Sequence, residues 1–187
     1  MIILGIDPGT ATSGYGVVKV LNEVNSIEDS NGNFEVWKYG LIETKKEIDP
    51  GKRLNIIHRE LDYLLNKYNP DVMAIERLFF ATNAKTAMQV GQACGVMMFT
   101  ASRRNVPVKE YAPGTIKKII TGNGRANKKD IQEYLRVHLG SKIKSAPKKK
   151  THFDNAADAL AVALCHAIKS PDLIINTSSE IFIPKIL

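Results

Sequence analysis

The stretch that decides the fold is the N-terminal sequence MIILGIDPGTATSGYG, residues 1–16. Its first apolar run, residues 2–6, ends at the acidic residue Asp7, and Pro8 and Gly9 follow at once. Such a run, bounded by Pro and Gly, is typical of a strand buried on both faces, with the next apolar run as its hairpin partner. A carboxylate at the end of a buried strand is costly unless a cation or a donor lies near. Asp7 therefore either caps the turn through its side chain or belongs to a functional site with a cation or donor nearby.

The rest of the chain alternates between strand-like and helix-like periodicity. A third strand is predicted over residues 34–44, with Trp37, Tyr39 and Leu41 on one face, which gives an antiparallel meander. Further strands are predicted over residues 71–76 and 106–111, and helices over residues 50–69, 83–103, 116–120, 128–139 and 155–168. Two glycines in the second helix, Gly91 and Gly95, are expected to permit close packing. The pattern predicts an α/β domain over residues 1–170, a mixed five-stranded sheet flanked by helices, with residues 171–187 as a loosely attached tail.

The composition favours a polyanionic partner. Among 187 residues, 26 Lys and Arg against 19 Asp and Glu leave a net charge of +7, and the pI is about 9.4. This excess suggests nucleic acid, although a basic surface also serves solubility. Since no apolar run approaches the roughly 20 residues of a membrane span, we expect a cytoplasmic protein without a membrane partner. Cys94 and Cys165 fit buried free thiols better than a disulfide or zinc site.

Acidic residues recur in positions that favour a metal site. Glu76 ends an apolar strand as Asp7 does, and Asp154 and Asp158 lie four positions apart, on one face of the last helix. Asp154 could equally be an ordinary first-turn acid that favours the helix dipole. Converging carboxylates repel one another unless neutralised, and Mg²⁺ bound by a few carboxylates and substrate phosphate is the common solution. Paired ions about 4 Å apart can promote phosphodiester hydrolysis, so the pattern predicts a metal-dependent nuclease.

Five segments together are similar to a known family. They are residues 5–9 (GIDPG), 14–17 (GYGV), 74–76 (AIE), 91–93 (GQA) and 156–160 (AADAL). In order and spacing they resemble the RuvC family of Holliday junction resolvases, from residue 1 to about residue 168. The resemblance implies a ribonuclease H-like fold, a homodimer and paired nicks in opposing strands of a four-way DNA junction. It also implies two metal ions, Mg²⁺ with Mn²⁺ as an alternative, and the RuvA and RuvB branch-migration proteins as partners.

The resemblance also assigns site residues. Asp7, Glu76 and Asp158 match the family's catalytic, metal-binding acids. The family carries a fourth metal-site residue, an Asp or His, three positions before the last acid, where this chain has Asn155. An amide offers a carbonyl oxygen but no negative charge, and it cannot act as a base. Either Asp154 or His152 compensates for Asn155, or the site is weakened.

Other positions are candidates for DNA contacts. Phe79 matches a family aromatic that stacks at the opened junction, while a core role, or an exchange of roles with Phe80, is also consistent with the sequence. Lys117 and Lys128 match family positions that contact the DNA backbone, and Arg125 is a candidate by its charge alone. The lysine-rich segment 141–151 is either a solvated loop or a phosphate-contacting arm.

Two alternative functions remain open from the sequence. The same fold houses other nucleases, so an enzyme that cuts RNA/DNA hybrids is one alternative. A junction-binding protein with weak cleavage, caused by Asn155, is the other.

Overall fold

The protein is described here from a computed structural model. The structure describes residues 1–22, 33–78, 84–139 and 150–170, and for residues 84–86 and 150–154 it describes the backbone alone. Its elements are β1 (Ile2–Asp7), β2 (Thr12–Val20), β3 (Phe34–Glu43), α1 (Pro50–Tyr68), β4 (Val72–Glu76), α2 (Ala84–Arg103), β5 (Val108–Tyr111), α3 (Pro113–Thr121), α4 (Lys128–Leu139) and α5 (Lys150–Lys169). The predicted α/β fold with a mixed five-stranded sheet flanked by helices is confirmed.

The sheet brings two acidic residues side by side. Its strand order is β3-β2-β1-β4-β5, with β1 antiparallel to β2 but parallel to β4. Parallel strands end at the same edge of a sheet, and the last registered pair of β1 and β4 is Ile6 with Ile75. The next residue on each strand is an acid, so Asp7 and Glu76 leave the sheet next to each other.

Alternation along β1 and β4 decides which face these acids occupy. Leu4, Ile6, Met73 and Ile75 belong to the core under α1 and α2. Ile3, Val72 and Ala74 belong to the core under α3, α4 and α5. Because successive side chains of a strand point to opposite faces, Asp7 and Glu76 continue the second set. Both carboxylates therefore lie on the α5 face of the sheet.

Three strand glycines let α5 lie directly against the sheet. A methyl group at Gly5 would lie 2.1 Å from the Ala159 carbonyl oxygen, and one at Gly14 would lie 1.9 Å from the Asn155 carbonyl oxygen. At Gly16 it would meet the Leu160 side chain at 2.6 Å. Such distances are too short for any side chain, which is why glycine marks close backbone approach within a strand. The position of α5 is thus fixed by contact with backbone.

The predicted close packing at the glycines of α2 is not found within the described part of this single chain. A methyl group at Gly91 or Gly95 would meet nothing within 4 Å, so these residues do not pack closely within the described part of the chain. They lie on an open side of the helix, together with Met88 and Phe99, which are 69% and 59% exposed. The buried side of α2 is carried by other residues, such as Ala93 and Met97.

The predicted face of β3 is also wrong in part. Tyr39 packs against the core on the α5 side, but Trp37 is exposed. Val17 pairs with Lys38 while its neighbour Val18 pairs with Val36, so the register shifts and Trp37 is the extra residue of a bulge. A bulge interrupts strict alternation, which separates Trp37 from the side of Tyr39.

Two further expectations concern the last helix and the cysteines. The last helix begins at Lys150, five residues before the predicted start at 155, so Asp154 lies in its second turn and not at its start. Cys94 and Cys165 are buried free thiols, as expected. Among the described helices, none is long and apolar enough to cross a bilayer. The predicted tail, residues 171–187, and most of the lysine-rich segment, residues 141–149, lie outside the described residues.

Candidate active site

A cleft of about 350 Å³ opens where β1 and β4 end. Three carboxylates line it, those of Asp7, Glu76 and Asp158. Its walls are completed by residues from α3, α4 and α5: Pro113, Ile116, Lys117, Lys128, Ile131 and Ala161. The three acids assigned by family resemblance are therefore brought together, from two neighbouring strands and the helix that crosses them.

The turn after Asp7 is held without help from the Asp7 side chain. The Ser13 hydroxyl donates to the Gly9 carbonyl oxygen at 2.6 Å and accepts from the Gly9 backbone N–H at 3.1 Å. Behind the turn, Arg53 Nε donates to the Thr44 hydroxyl, which donates to the Thr10 carbonyl oxygen. Because other side chains close the turn, Asp7 is left to face the cleft.

Burial and neighbouring negative charge raise the pKa of two carboxylates of the cleft, those of Asp7 and Glu76. Burial, then the charges of Glu76 and Asp158, raise the pKa of Asp7 to about 7. Burial and the charge of Asp158 also raise the pKa of Glu76, while Lys128 and Lys117 oppose this shift. A raised pKa at both residues indicates negative charge in a buried place, which the nearby lysines relieve only in part.

The donor set suits a hard divalent cation. It consists of carboxylate oxygens, which Mg²⁺ and Mn²⁺ prefer, and it carries the excess negative charge that a cation would relieve. Within the described ranges, however, no three His, Cys, Asp or Glu side chains are grouped closely enough to hold one ion. Lys128 Nζ lies 2.8 Å from Asp158 Oδ2, so one of the three carboxylates is paired with an ammonium group. The residues fit the ion by their chemistry, because all three carboxylates line the same cleft.

The remaining predicted site residues are placed less centrally. Asn155 is half-buried on α5, one turn before Asp158, but it does not line the cleft. Arg125 is exposed in the connection between α3 and α4, and it too lies outside the cleft lining. Phe79 and Phe80 fall outside the described residues, as do the side chains of Asp154 and His152. Their predicted roles stay predictions.

Sequence reasoning missed two features that shape the site. Gly5, Gly14 and Gly16 were noticed only as parts of family motifs, although glycine inside an apolar strand is itself a signal of close backbone approach. Lys128 was assigned to DNA phosphate alone, whereas its ammonium group contacts Asp158. The two residues are 30 positions apart on different helices, and no local pattern indicates such a contact.

Comparison with known proteins identifies the family to which this fold belongs. A sequence model of the family described as crossover junction endodeoxyribonuclease RuvC matches residues 3–166. The chain belongs to the RuvC family. A crossover junction endodeoxyribonuclease RuvC from Alkaliphilus oremlandii is 44% identical to it over 167 residues, which cover 89% of this chain and 93% of the relative.

Solved structures of the family also match the fold. Thermus thermophilus RuvC is 30% identical with a TM-score of 0.75, over 91% of this chain and 95% of that one. T. thermophilus RuvC in complex with Holliday junction substrate is also 30% identical, with a TM-score of 0.78 over 92% of this chain and 96% of that one. The resemblance to the RuvC family and the ribonuclease H-like fold are confirmed.

Proposed function

We propose that this RuvC-family chain is a structure-selective endodeoxyribonuclease, which resolves four-way (Holliday) DNA junctions by paired nicks during recombination and repair. The observation that carries the proposal is the convergence of Asp7, Glu76 and Asp158 in one cleft. The T. thermophilus relative in complex with a Holliday junction supports the substrate class. By family resemblance, RuvA and RuvB are the proposed branch-migration partners.

In this proposal the three acids are catalytic and hold the metal, two Mg²⁺ ions or Mn²⁺ in their place. Bound divalent ions would supply an activated water and neutralise the charge that develops at phosphorus. The three carboxylates would hold those ions. Lys117, a half-buried residue of the same cleft, would attract the phosphodiester to them. The apolar side chains of Ile116 and Ile131 limit water around the reacting group.

Contacts further from the cleft would position the junction. Lys117, Lys128 and Arg125 supply positive charge on and beside α3 and α4, at the mouth of the cleft or next to it. Phe79, three positions after Glu76, is proposed to stack on a base at the crossover, which contributes roughly 1 to 3 kcal/mol per base. Sequence-independent affinity then comes from phosphate contacts, and it should fall steeply as salt rises.

The function is tested with the full chain and synthetic substrates of one sequence: a mobile four-way junction, a linear duplex and an RNA/DNA hybrid. We expect symmetric nicks in opposing strands of the junction alone, dependent on Mg²⁺ and abolished by EDTA. Cleavage of the hybrid in preference to the junction would favour the alternative ribonuclease. Tight junction binding with no nicking at any Mg²⁺ or Mn²⁺ concentration would favour a binding protein.

We also propose a homodimer, formed through α2. Met88, Gly91, Gly95 and Phe99 recur at helical spacing and form one open stripe on this helix. Glycines without a neighbouring atom allow a second helix to approach closely, and the exposed apolar side chains at each end supply buried area. A stripe of this kind suits an isologous contact with the same stripe of a second copy.

Phe99→Asp should convert the dimer into a monomer, because it replaces one of the two large apolar side chains of this contact with a charge. Sedimentation velocity at about micromolar concentration measures the change. The control is Val137→Asp on α4, since Val137 is likewise an exposed apolar residue, at 69% against 59% for Phe99, but lies on another helix. A folded Phe99→Asp protein that remains dimeric, or a wild type that is monomeric at tens of micromolar, would contradict the proposed interface.

Asn155 departs from the family pattern, and its replacement is informative. If the amide weakens the second ion, Asn155→Asp should raise the nicking rate about tenfold at low Mg²⁺, the scale of changing a group that supports a metal site. If Asp154 has taken over instead, Asn155→Asp should change little and Asp154→Asn should be severe. Rates of both variants across a Mg²⁺ titration separate these results, and near wild-type rates in both would contradict either version.

A further inference from the structure

Lys128 makes a contact that DNA binding does not require. Its Nζ lies 2.8 Å from Asp158 Oδ2, although the lysine side chain is 64% exposed and could extend into solvent. The same charge interacts favourably with the carboxylates of Asp7 and Glu76. A single ammonium group thus acts on all three carboxylates of the cleft.

The start of α4 fixes where this ammonium group can reach. Asn127 Oδ1 accepts from the backbone N–H of Lys129, and Asp130 Oδ2 accepts from the backbone N–H of Asn127, which is the arrangement of a capping box. Buried side chains, Ala126 and Ile131, flank the cap. Lys128 is therefore held at the first helical position of a pinned helix end.

That position is unfavourable for a lysine on local grounds. The N-terminus of a helix carries partial positive charge, so a cation in the first turn is disfavoured by the helix itself. The carboxylates of the neighbouring cleft offset this effect. The negative charge of the cleft carboxylates, and not the helix itself, thus favours a lysine at position 128.

We propose that Lys128 is a built-in counter-cation of the carboxylate cluster, which a divalent ion must displace from Asp158. This inference rests on the proposed function, because it concerns the same metal site. An ammonium group and a metal ion compete for the same oxygen, Asp158 Oδ2. The displaced lysine has a flexible side chain and can then contact a DNA phosphate. Lys128 would thus pair with Asp158 before the metal binds and with DNA afterwards.

The exchange is easy because the ion pair is weak. Its lysine is mostly exposed, and exposed ion pairs of this kind contribute little. A divalent ion brings twice the charge and can bind several carboxylates at once. Lys128 therefore neutralises the carboxylates in part, without preventing a divalent ion from binding them.

Metal binding without DNA tests the proposal. Mn²⁺ is titrated calorimetrically into the wild type, Lys128→Met and the matched control Lys117→Met, which removes the other lysine of the cleft. We expect Lys128→Met to bind Mn²⁺ about threefold to fivefold more tightly than wild type, the scale of a lost exposed ion pair, and Lys117→Met to change by less than about twofold. In EDTA, Lys128→Met should melt about 2 °C below wild type, because the carboxylates lose their counter-ion.

Three results would overturn the inference. The first is an Mn²⁺ affinity of Lys128→Met that equals or falls below that of the wild type. The second is an equal gain in affinity in both variants, which would indicate general electrostatics and not direct competition. The third is no measurable Mn²⁺ binding by the wild type or by Lys128→Met, which would indicate that the carboxylates form no metal site. A wild type that binds Mn²⁺ as expected but never nicks a junction would contradict the proposed function and leave the exchange intact.

Discussion

Asp7→Asn should lower the rate of junction nicking by at least about a thousandfold, the scale of removing a group that stabilises a transition state. Asp7 ends β1 next to Glu76 and lines the same cleft as Asp158, so the amide removes one of the three carboxylates of the proposed metal site. Junction binding should remain, because the lysines of the cleft and the fold are unchanged. Single-turnover nicking and equilibrium binding of the same junction give the two measurements.

The same substitution should make the protein more stable. The pKa of Asp7 is raised from 3.8 to about 7 on folding, mainly by burial, so its ionised form opposes folding. The two states bind protons equally below pH 3.8, and the penalty grows as the pH rises from there to about 7. At 1.36 kcal/mol per pKa unit it reaches on the order of 4 kcal/mol at most.

Melting temperatures in EDTA from pH 4 to pH 8 measure this effect. We expect the difference between Asp7→Asn and wild type to be small at pH 4 and largest above pH 7. Glu133→Gln, on the exposed side of α4, is the matched control and should alter neither nicking nor stability. Substantial nicking by purified Asp7→Asn would contradict the catalytic role of Asp7. A variant less stable than the wild type would contradict the conclusion that the ionised Asp7 side chain opposes folding.

Gly5→Ala should strongly destabilise the contact between β1 and α5. Its methyl group would lie 2.1 Å from the Ala159 carbonyl oxygen and 2.8 Å from the Ala163 backbone nitrogen, so α5 must move away from β1. We expect a loss of about 3 kcal/mol or more in the free energy of unfolding. A shift of Asp158 by about 1 Å would also slow nicking in the folded fraction by roughly a hundredfold.

Gly114→Ala is the control for this prediction, because a methyl group there meets only the Gly124 carbonyl oxygen, at 4.0 Å. Thermal melts of both variants, with nicking rates corrected for the folded fraction, measure the effects. A melting temperature of Gly5→Ala within about 2 °C of wild type would correspond to less than about 1 kcal/mol for a chain of this size. That result would contradict the close contact between Gly5 and the α5 backbone.

The sequence predicted the strand-end acids well, because a buried apolar run that stops at one carboxylate is a local pattern. Parallel pairing of β1 and β4 then places Asp7 beside Glu76 without further information. The start of α5 was predicted too late, since the lysines that precede it read as a solvated segment. The bulge at Trp37 was missed because alternation continues on both sides of the extra residue.

Contacts between helices that are distant in sequence could not be predicted, for a different reason. Lys128 and Asp158 meet only because α4 and α5 pack on the same side of the sheet, and neither residue carries a local sign of the other. The open side of α2 was likewise misjudged, because glycines in an apolar helix look the same whether they face the core or a free surface. Family resemblance supplied the roles of the acids, but not this geometry.

The close contact of α5 with Gly5 limits which substitutions this protein can accept during evolution. A larger residue at Gly5 cannot be accommodated by trimming its neighbours, because the atoms it would meet are the Ala159 carbonyl oxygen and the Ala163 backbone nitrogen and methyl group. Replacing either alanine by glycine would weaken the helix by about 1 kcal/mol and still leave the backbone in place. No pair of compensating substitutions is open at this contact. The separation of the β1 and α5 backbones, which carry Asp7 and Asp158, is therefore constrained during evolution by this contact.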